Sequence, residues 1–289
     1  MSKVYITMPV INCLEMTKAA YDSIRCQKSW SFILTDQLSS DGTREWGEGM
    51  ENDHPSFQYR LNVPRVPLAQ AWNQAVKTAL KDPECEYIGI FNNDIVLHPK
   101  TIDHMIAFMD KTGYLLVSAD NIKDRMSPET LQKLELPAEF TDYDCWPIEG
   151  WRAEGPDFSC FMINRRTIEV VGWFDENFKG AYCEDQDYHA RINRAYRHAK
   201  LHNDLGIEPE RIHAKRLSTA PYYHFASQTV AQNVDLRADV SSQHGRNQNY
   251  YLEKWGGEHP VVMDGGGNIT PFGDARRNWK WWEGVEKYD

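Results

Sequence analysis

No stretch of this 289-residue chain approaches the roughly 18 consecutive apolar residues that a membrane-spanning helix requires, so no span is expected. Positive charge is also in short supply. The 32 Lys and Arg residues face 42 Asp and Glu, a net charge of −10. That balance offers no electrostatic help toward DNA, RNA or an anionic membrane, and nucleic acid is not an expected partner. The six cysteines (Cys13, Cys26, Cys85, Cys145, Cys160 and Cys183) form no CxxC pair and no compact disulfide framework. They read as reduced, partly buried thiols of a cytoplasmic protein. The opening residues enter a strand-like run at once, without the features of a signal peptide. Internal repeats and low-complexity tracts are missing as well.

What is present suffices for a sizeable core. At 41% hydrophobic residues the chain can form one large domain or two small ones. The first half alternates strands and helices. Val4 to Met8 reads as a strand closed by Pro9, and Asn12 is placed to cap the following helix with Glu15 as its reciprocal partner. Ser31 to Thr35 is a second strand ending at Asp36, and Ser39 to Thr43 is rich in turn formers. Leu68, Ala71, Trp72, Ala75, Val76 and Ala79 make an amphipathic helical stripe. Tyr87 to Phe91 is a strand, Ile102, Met105, Ile106 and Met109 share a helical face, and Tyr114 to Val117 is a further strand. This βαβαβ rhythm predicts an α/β fold with a mostly parallel central sheet flanked by helices. Residues 120–157 carry four prolines and suggest short helices and loops. Phe158 to Ile163 returns as a strand, and a polar helix opens at Glu184.

Chemistry concentrates at strand ends. Asn92-Asn93-Asp94 interrupts two apolar runs, and a carboxylate there is costly unless a cation or a sugar hydroxyl uses it. Asp36 closes another strand, and a parallel sheet would bring both to the edge where α/β folds bind ligands. Either residue alone is ordinary turn chemistry. Glu184-Asp185-Gln186-Asp187 opens a helix, where acidic residues usually complement the macrodipole. A functional reading needs one of them aimed into the cleft as a general base. His198 and His202 have the i, i+4 spacing of a zinc pair, but surface histidines late in a helix explain them better. Trp151 stands out among many aromatics because it precedes the Phe158 to Ile163 strand.

In their order along the chain these elements resemble glycosyltransferase family 2, of GT-A architecture, across about residues 4–225. Pro9-Val10-Ile11-Asn12 is similar to the family's P-V-Y-N. Leu34 to Thr43 resembles V-D-(N/D)-x-S-x-D-G-T, and Ala69 to Ala75 resembles A-x-A-x-N-x-G. Asn92-Asn93-Asp94 stands at the D-x-D position, in the N-N-D form of rhamnosyltransferase-like members. Glu184 to Asp187 matches E-D-x-D, and Tyr223-His224 resembles a late strand-end histidine.

The resemblance implies a GT-A catalytic domain over 1–235, with a donor half about 1–120 and an acceptor half about 145–225, and an extension over 236–289 packed on it. It implies that Asp36 contacts the nucleobase, with Pro9 and Asn12 shaping the pocket and Asn73, Asn92 and Asn93 on the donor side. Asp94 would bind Mn²⁺ or Mg²⁺ on the donor diphosphate, with His224 as a further contact. Asp185 would be the base and Glu184 would orient the acceptor, with Trp151 and Asp187 beside them. The implied activity is inverting, metal-dependent transfer of a hexosyl or deoxyhexosyl group. Its partners would be a UDP-, GDP- or dTDP-linked donor and a carbohydrate or other hydroxyl acceptor. Two rivals differ in kind. A nucleotidyltransferase would want a Gly-rich basic loop after the first strand, which Pro9 to Asn12 does not supply. A catalytically inactive sugar-nucleotide-binding module would suit the neutral Asn92.

Overall fold

The computed structural model describes residues 3–136, 156–202, 204–226 and 228–255. Strand β1 (Lys3–Val10) is buried along nearly its whole length, as a central strand covered on both faces must be. Its alternate residues divide between two cores: Val4, Ile6, Met8 and Val10 belong to one, Tyr5 to the other. Helix α1 (Leu14–Asp22) leads to β2 (Trp30–Asp36), α2 (Thr43–Asp53) and β3 (Phe57–Leu61). Then come α3 (Leu68–Leu80), β4 (Cys85–Phe91), β5 (Ile95–Leu97), α4 (Thr101–Thr112), β6 (Leu116–Asn121) and the short α5 (Pro128–Leu131). The second half holds β7 (Cys160–Asn164), α6 (Arg165–Val171), α7 (Glu184–His202), β8 (Ala214–His224), α8 (Gln228–Gln232) and α9 (Val234–Trp255).

The eight strands form one sheet in the order β3-β2-β1-β4-β7-β6-β8-β5. The expected parallel arrangement holds from β3 to β4, and β6 also runs parallel to β8. Beyond β4 the sheet becomes mixed, because β7 is antiparallel to β4 and β6, and β5 is antiparallel to β8. Residues of α1 and α4 pack on one face of the sheet, and those of α3, α6 and α7 on the other. The α3 stripe lies as its periodicity predicts. Trp72 is 2% exposed and meets Phe161 and Phe174 edge-on, and each buried phenylalanine contributes on the order of 3 kcal/mol.

Two local readings need correction. Asn12 does not cap α1: the cap position is Cys13, and Asp41 from the neighbouring turn accepts the Leu14 amide at 2.8 Å instead. Asn12 itself adopts φ 54°, a left-handed conformation that asparagine tolerates better than most residues. The strand expected at 114–117 begins later, at Leu116, and continues to Asn121. Strand β3 was not anticipated. It is an edge strand in which Phe57 and Tyr59 face inward while Arg60 is exposed. No helix among the described residues is long and apolar enough to cross a membrane.

Candidate active site

The parallel register sets Val10 beside Asp36 and Thr7 beside Ile90, so β1, β2 and β4 end at one edge of the sheet. A cavity of about 830 Å³ opens there, a size that suits a small-molecule ligand. Pro9, Asn92, Asn93, Asp94, Glu184, Asp185 and His224 all line it. The structure therefore gathers seven of the residues singled out from sequence into one space, although they come from positions far apart in the chain.

Asp36 lies just behind the wall. It is fully buried, with Oδ2 accepting from the Tyr59 hydroxyl at 2.6 Å and Oδ1 accepting from the Ser39 amide at 2.9 Å and its hydroxyl at 2.6 Å. Burial, then the Asp36 carboxylate, pushes the Tyr59 hydroxyl far above its ordinary pKa. Gln37, next in the chain, lines the cavity instead, and its side-chain oxygen accepts the Val66 amide at 3.1 Å. Asn12 is also off the cavity lining. Its Oδ1 accepts the Ser40 amide at 2.7 Å and its amide group bonds Asn233, so it ties the β1 end to the loop after β2 and to the α8–α9 junction.

At the 92–94 triplet, Asn93 is held on both sides, donating to Thr17 Oγ1 at 3.1 Å and accepting from Thr229 Oγ1 at 2.8 Å. Asp94 Oδ1 is 3.0 Å from His224 Nε2, and Oδ2 accepts the Gln228 amide at 3.2 Å. The antiparallel pairing of β5 with β8 makes this meeting, since Ile95 lies opposite His224. One carboxylate and one imidazole suit Mn²⁺ or Mg²⁺ bound mainly through substrate phosphates, which need few protein ligands. Among the described residues no group of three or more His, Cys, Asp or Glu could hold a metal ion.

Across the cavity the N-terminus of α7 presents Glu184 and Asp185. Burial raises the Glu184 carboxyl above the usual carboxylate range, and the adjacent Asp185 charge adds to this. Burial also raises Asp185. The Gln186 amide, which donates to Asp185 Oδ1 at 2.8 Å, opposes the shift, and the Asp157 charge adds to it. Two carboxyl groups are thus made more basic at one wall.

The structure places two other named residues elsewhere. Asp187 is fully buried, accepting from the Trp255 indole at 2.9 Å and pairing with Lys254 at 2.6 Å. Asn73 is fully buried too. Its Oδ1 accepts the Phe174 amide at 3.0 Å, while its Nδ2 donates to the Phe174 carbonyl and to Glu176, each at 2.8 Å. Trp151 lies outside the described residues.

Several cavity residues were not foreseen. His189 is one turn beyond Asp185 and lines the same space; burial pulls its imidazole down to about 4, leaving it neutral at physiological pH. Asp157 precedes β7 and could have been read as a strand-flanking carboxylate. Leu236, Val240, Gln243 and Arg246 come from one face of α9, whose spacing is a helical signal that sequence reading passed over.

The sequence profile of Glycosyl transferase family 2 matches residues 5–172, more than half of the chain. The chain belongs to glycosyl transferase family 2. Glu184, Asp185, His224 and α9 lie beyond the matched region of this family 2 chain. Among solved structures, the family 2 chain resembles a mannosyltransferase from Pyrobaculum calidifontis in complex with GDP-Man and Mn²⁺. The two share 15% identity at a TM-score of 0.54, over 86% of this chain and 64% of the other, so this chain spans less than two thirds of that one. It also resembles S. aureus TarS 1–349 in complex with UDP-GlcNAc, with 14% identity and a TM-score of 0.51 over 87% and 71% of the two chains. These likenesses establish the GT-A fold. No curated protein matches the chain.

Proposed function

We propose that this chain transfers a hexosyl or deoxyhexosyl residue from a UDP-, GDP- or dTDP-linked sugar to an acceptor hydroxyl, with inversion at the anomeric carbon. One observation carries the reading: a single cavity has the Asp94–His224 pair on one wall and two carboxyls of raised basicity on another. The complexes of the similar structures with GDP-Man and Mn²⁺ and with UDP-GlcNAc support a nucleotide-sugar donor.

Pro9 and Gln37 form part of the nucleoside wall, which Asp36 stiffens from behind. Asn92 hydrogen-bonds the ribose, and Asp94 and His224 would hold Mn²⁺ or Mg²⁺. When bound, that cation would offset the negative charge of the leaving diphosphate. Asp185 accepts the proton of the acceptor hydroxyl as its oxygen bonds the anomeric carbon and the bond to the diphosphate breaks. Glu184 orients the acceptor by hydrogen bonding.

The test is to incubate the chain with UDP-glucose, GDP-mannose and dTDP-rhamnose, with Mn²⁺ or with EDTA. Nucleoside diphosphate release is followed, and the anomer formed is read by NMR. Release from at least one donor that stops in EDTA, with an inverted product, is expected. A product of retained configuration, or turnover indifferent to EDTA, contradicts the mechanism. Metal-independent nucleotide binding without turnover would favour the inactive binding module.

A further inference from the structure

The segment that enters α7 is unusual. Gly180, Tyr182 and Cys183 have φ of 65°, 76° and 77°, so two residues with side chains adopt left-handed backbone directly before Glu184 and Asp185. Such conformations persist only where surrounding structure over-determines them, and they cluster at functional sites. Here α9 supplies the constraint. Asn247, 1% exposed, accepts the Lys179 amide at 2.9 Å through Oδ1. Its Nδ2 donates to the carbonyls of Lys179 at 2.8 Å, Tyr182 at 3.0 Å and Ala181 at 3.2 Å. One side chain therefore stands in for the backbone partners that an irregular turn lacks.

Two turns further along α9, the Lys254 ammonium is 2% exposed and lies 2.6 Å from both Asp175 and Asp187. The neighbouring Trp255 indole donates to Asp187, and the Tyr250 hydroxyl donates to Asp175 at 2.8 Å. Asp187 belongs to the same helical turn as Asp185. A buried carboxylate there is tolerable because a buried cation meets it, and that cation comes from α9.

We propose that α9 is the positioning element of the base-bearing turn: Asn247 holds its left-handed entry and Lys254, through Asp187, fixes its first helical turn, so that Asp185 faces the acceptor. Asn247 and Lys254 are positioning residues. Both act through other groups. The inference rests on the reading of Asp185 as the base. It extends the active site to a helix beyond the matched family region.

The test uses the full chain and four variants, Asn247→Ala, Lys254→Met, Lys254→Arg and Asp185→Asn. Turnover of UDP-glucose, GDP-mannose and dTDP-rhamnose is measured with Mn²⁺, together with the affinity for UDP and GDP and the amide exchange of residues 184–190. In Asn247→Ala and Lys254→Met, kcat should fall about 100-fold, the loss that a misplacement of about 1 Å can cause. Nucleotide affinity should stay within about twofold, and the 184–190 amides should exchange at least tenfold faster while those of β1 and β4 do not change. Lys254→Arg should recover part of the rate. If Lys254→Met does not fold, Asn247→Ala carries the test. Folded variants with parental exchange at 184–190, or with parental kcat, overturn the proposal. Asp185→Asn separates the two claims: parental turnover there refutes the base, whereas its inactivity beside an active Asn247→Ala refutes the positioning role.

Discussion

Replacing Asn73 by alanine should unfold the chain more readily without weakening nucleotide binding. The side chain accepts the Phe174 amide and donates to the Phe174 carbonyl, and all of these groups are buried. The variant leaves both backbone groups without a partner inside the core. At about 1–3 kcal/mol for each stranded group, the cost is about 2–6 kcal/mol. The bond to Glu176 adds little, because that carboxylate is half-exposed and can turn to water. Against a typical total stability of about 5–15 kcal/mol, such a loss is easily read from urea unfolding as a lower midpoint at unchanged slope. Under conditions where the variant is folded, its Kd for UDP or GDP with Mn²⁺ should match the parent. A stability loss below about 1 kcal/mol would refute the bond accounting. Weakened nucleotide affinity at parental stability would return Asn73 to the donor site.

Three further outcomes follow from the charges around α7. Because burial raises the Asp185 carboxyl, the acid limb of the pH–rate profile should lie above the ordinary Asp value of 3.8, and Asp157→Asn should move it lower by removing a like charge; a limb that ignores Asp157 would contradict this. Glu184 binds protons more tightly folded than unfolded, so its contribution to stability falls as pH rises from about 4.5 through its raised folded value. Glu184→Gln should therefore raise Tm more at pH 8 than at pH 4, and the opposite trend would refute the assignment. Asp175 behaves in the other sense. Burial alone would raise its carboxyl, but Lys254, with Asn177 and Tyr250 donating, brings it down to about 2. It should contribute about 2 kcal/mol above pH 4 that is lost as pH falls toward 2, and Asp175→Asn should flatten that slope in acid denaturation.

The cavity edge of the sheet was legible because strand ends announce themselves. Apolar runs stopping at Asp36 and at Asn92-Asn93-Asp94 locate the edge of a parallel sheet, and the register confirms it. The α3 stripe was equally plain. Depth was not. Periodicity gives a residue's helical face but not what lies against it, so Asp187, in the same turn as Asp185, could not be told from a ligand contact. Its partner Trp255 lies 68 residues away. The same distance hid the role of α9, whose cavity-lining face and buried lysine have meaning only against α7 and Asp175. Strand β3 was missed because Gln58 and Arg60 break its apolar run, as they should at a sheet edge.

Asp185 is proposed as the base in a cavity it shares with the Asp94–His224 pair, and Asp185→Asn removes that base. The reading is turnover of UDP-glucose, GDP-mannose or dTDP-rhamnose with Mn²⁺, alongside the Kd for the matching nucleoside diphosphate. Turnover should fall about 10²–10⁴-fold, the usual contribution of a positioned general base, with Kd and Tm close to the parent. Parental turnover in a folded variant that binds nucleotide normally would contradict it.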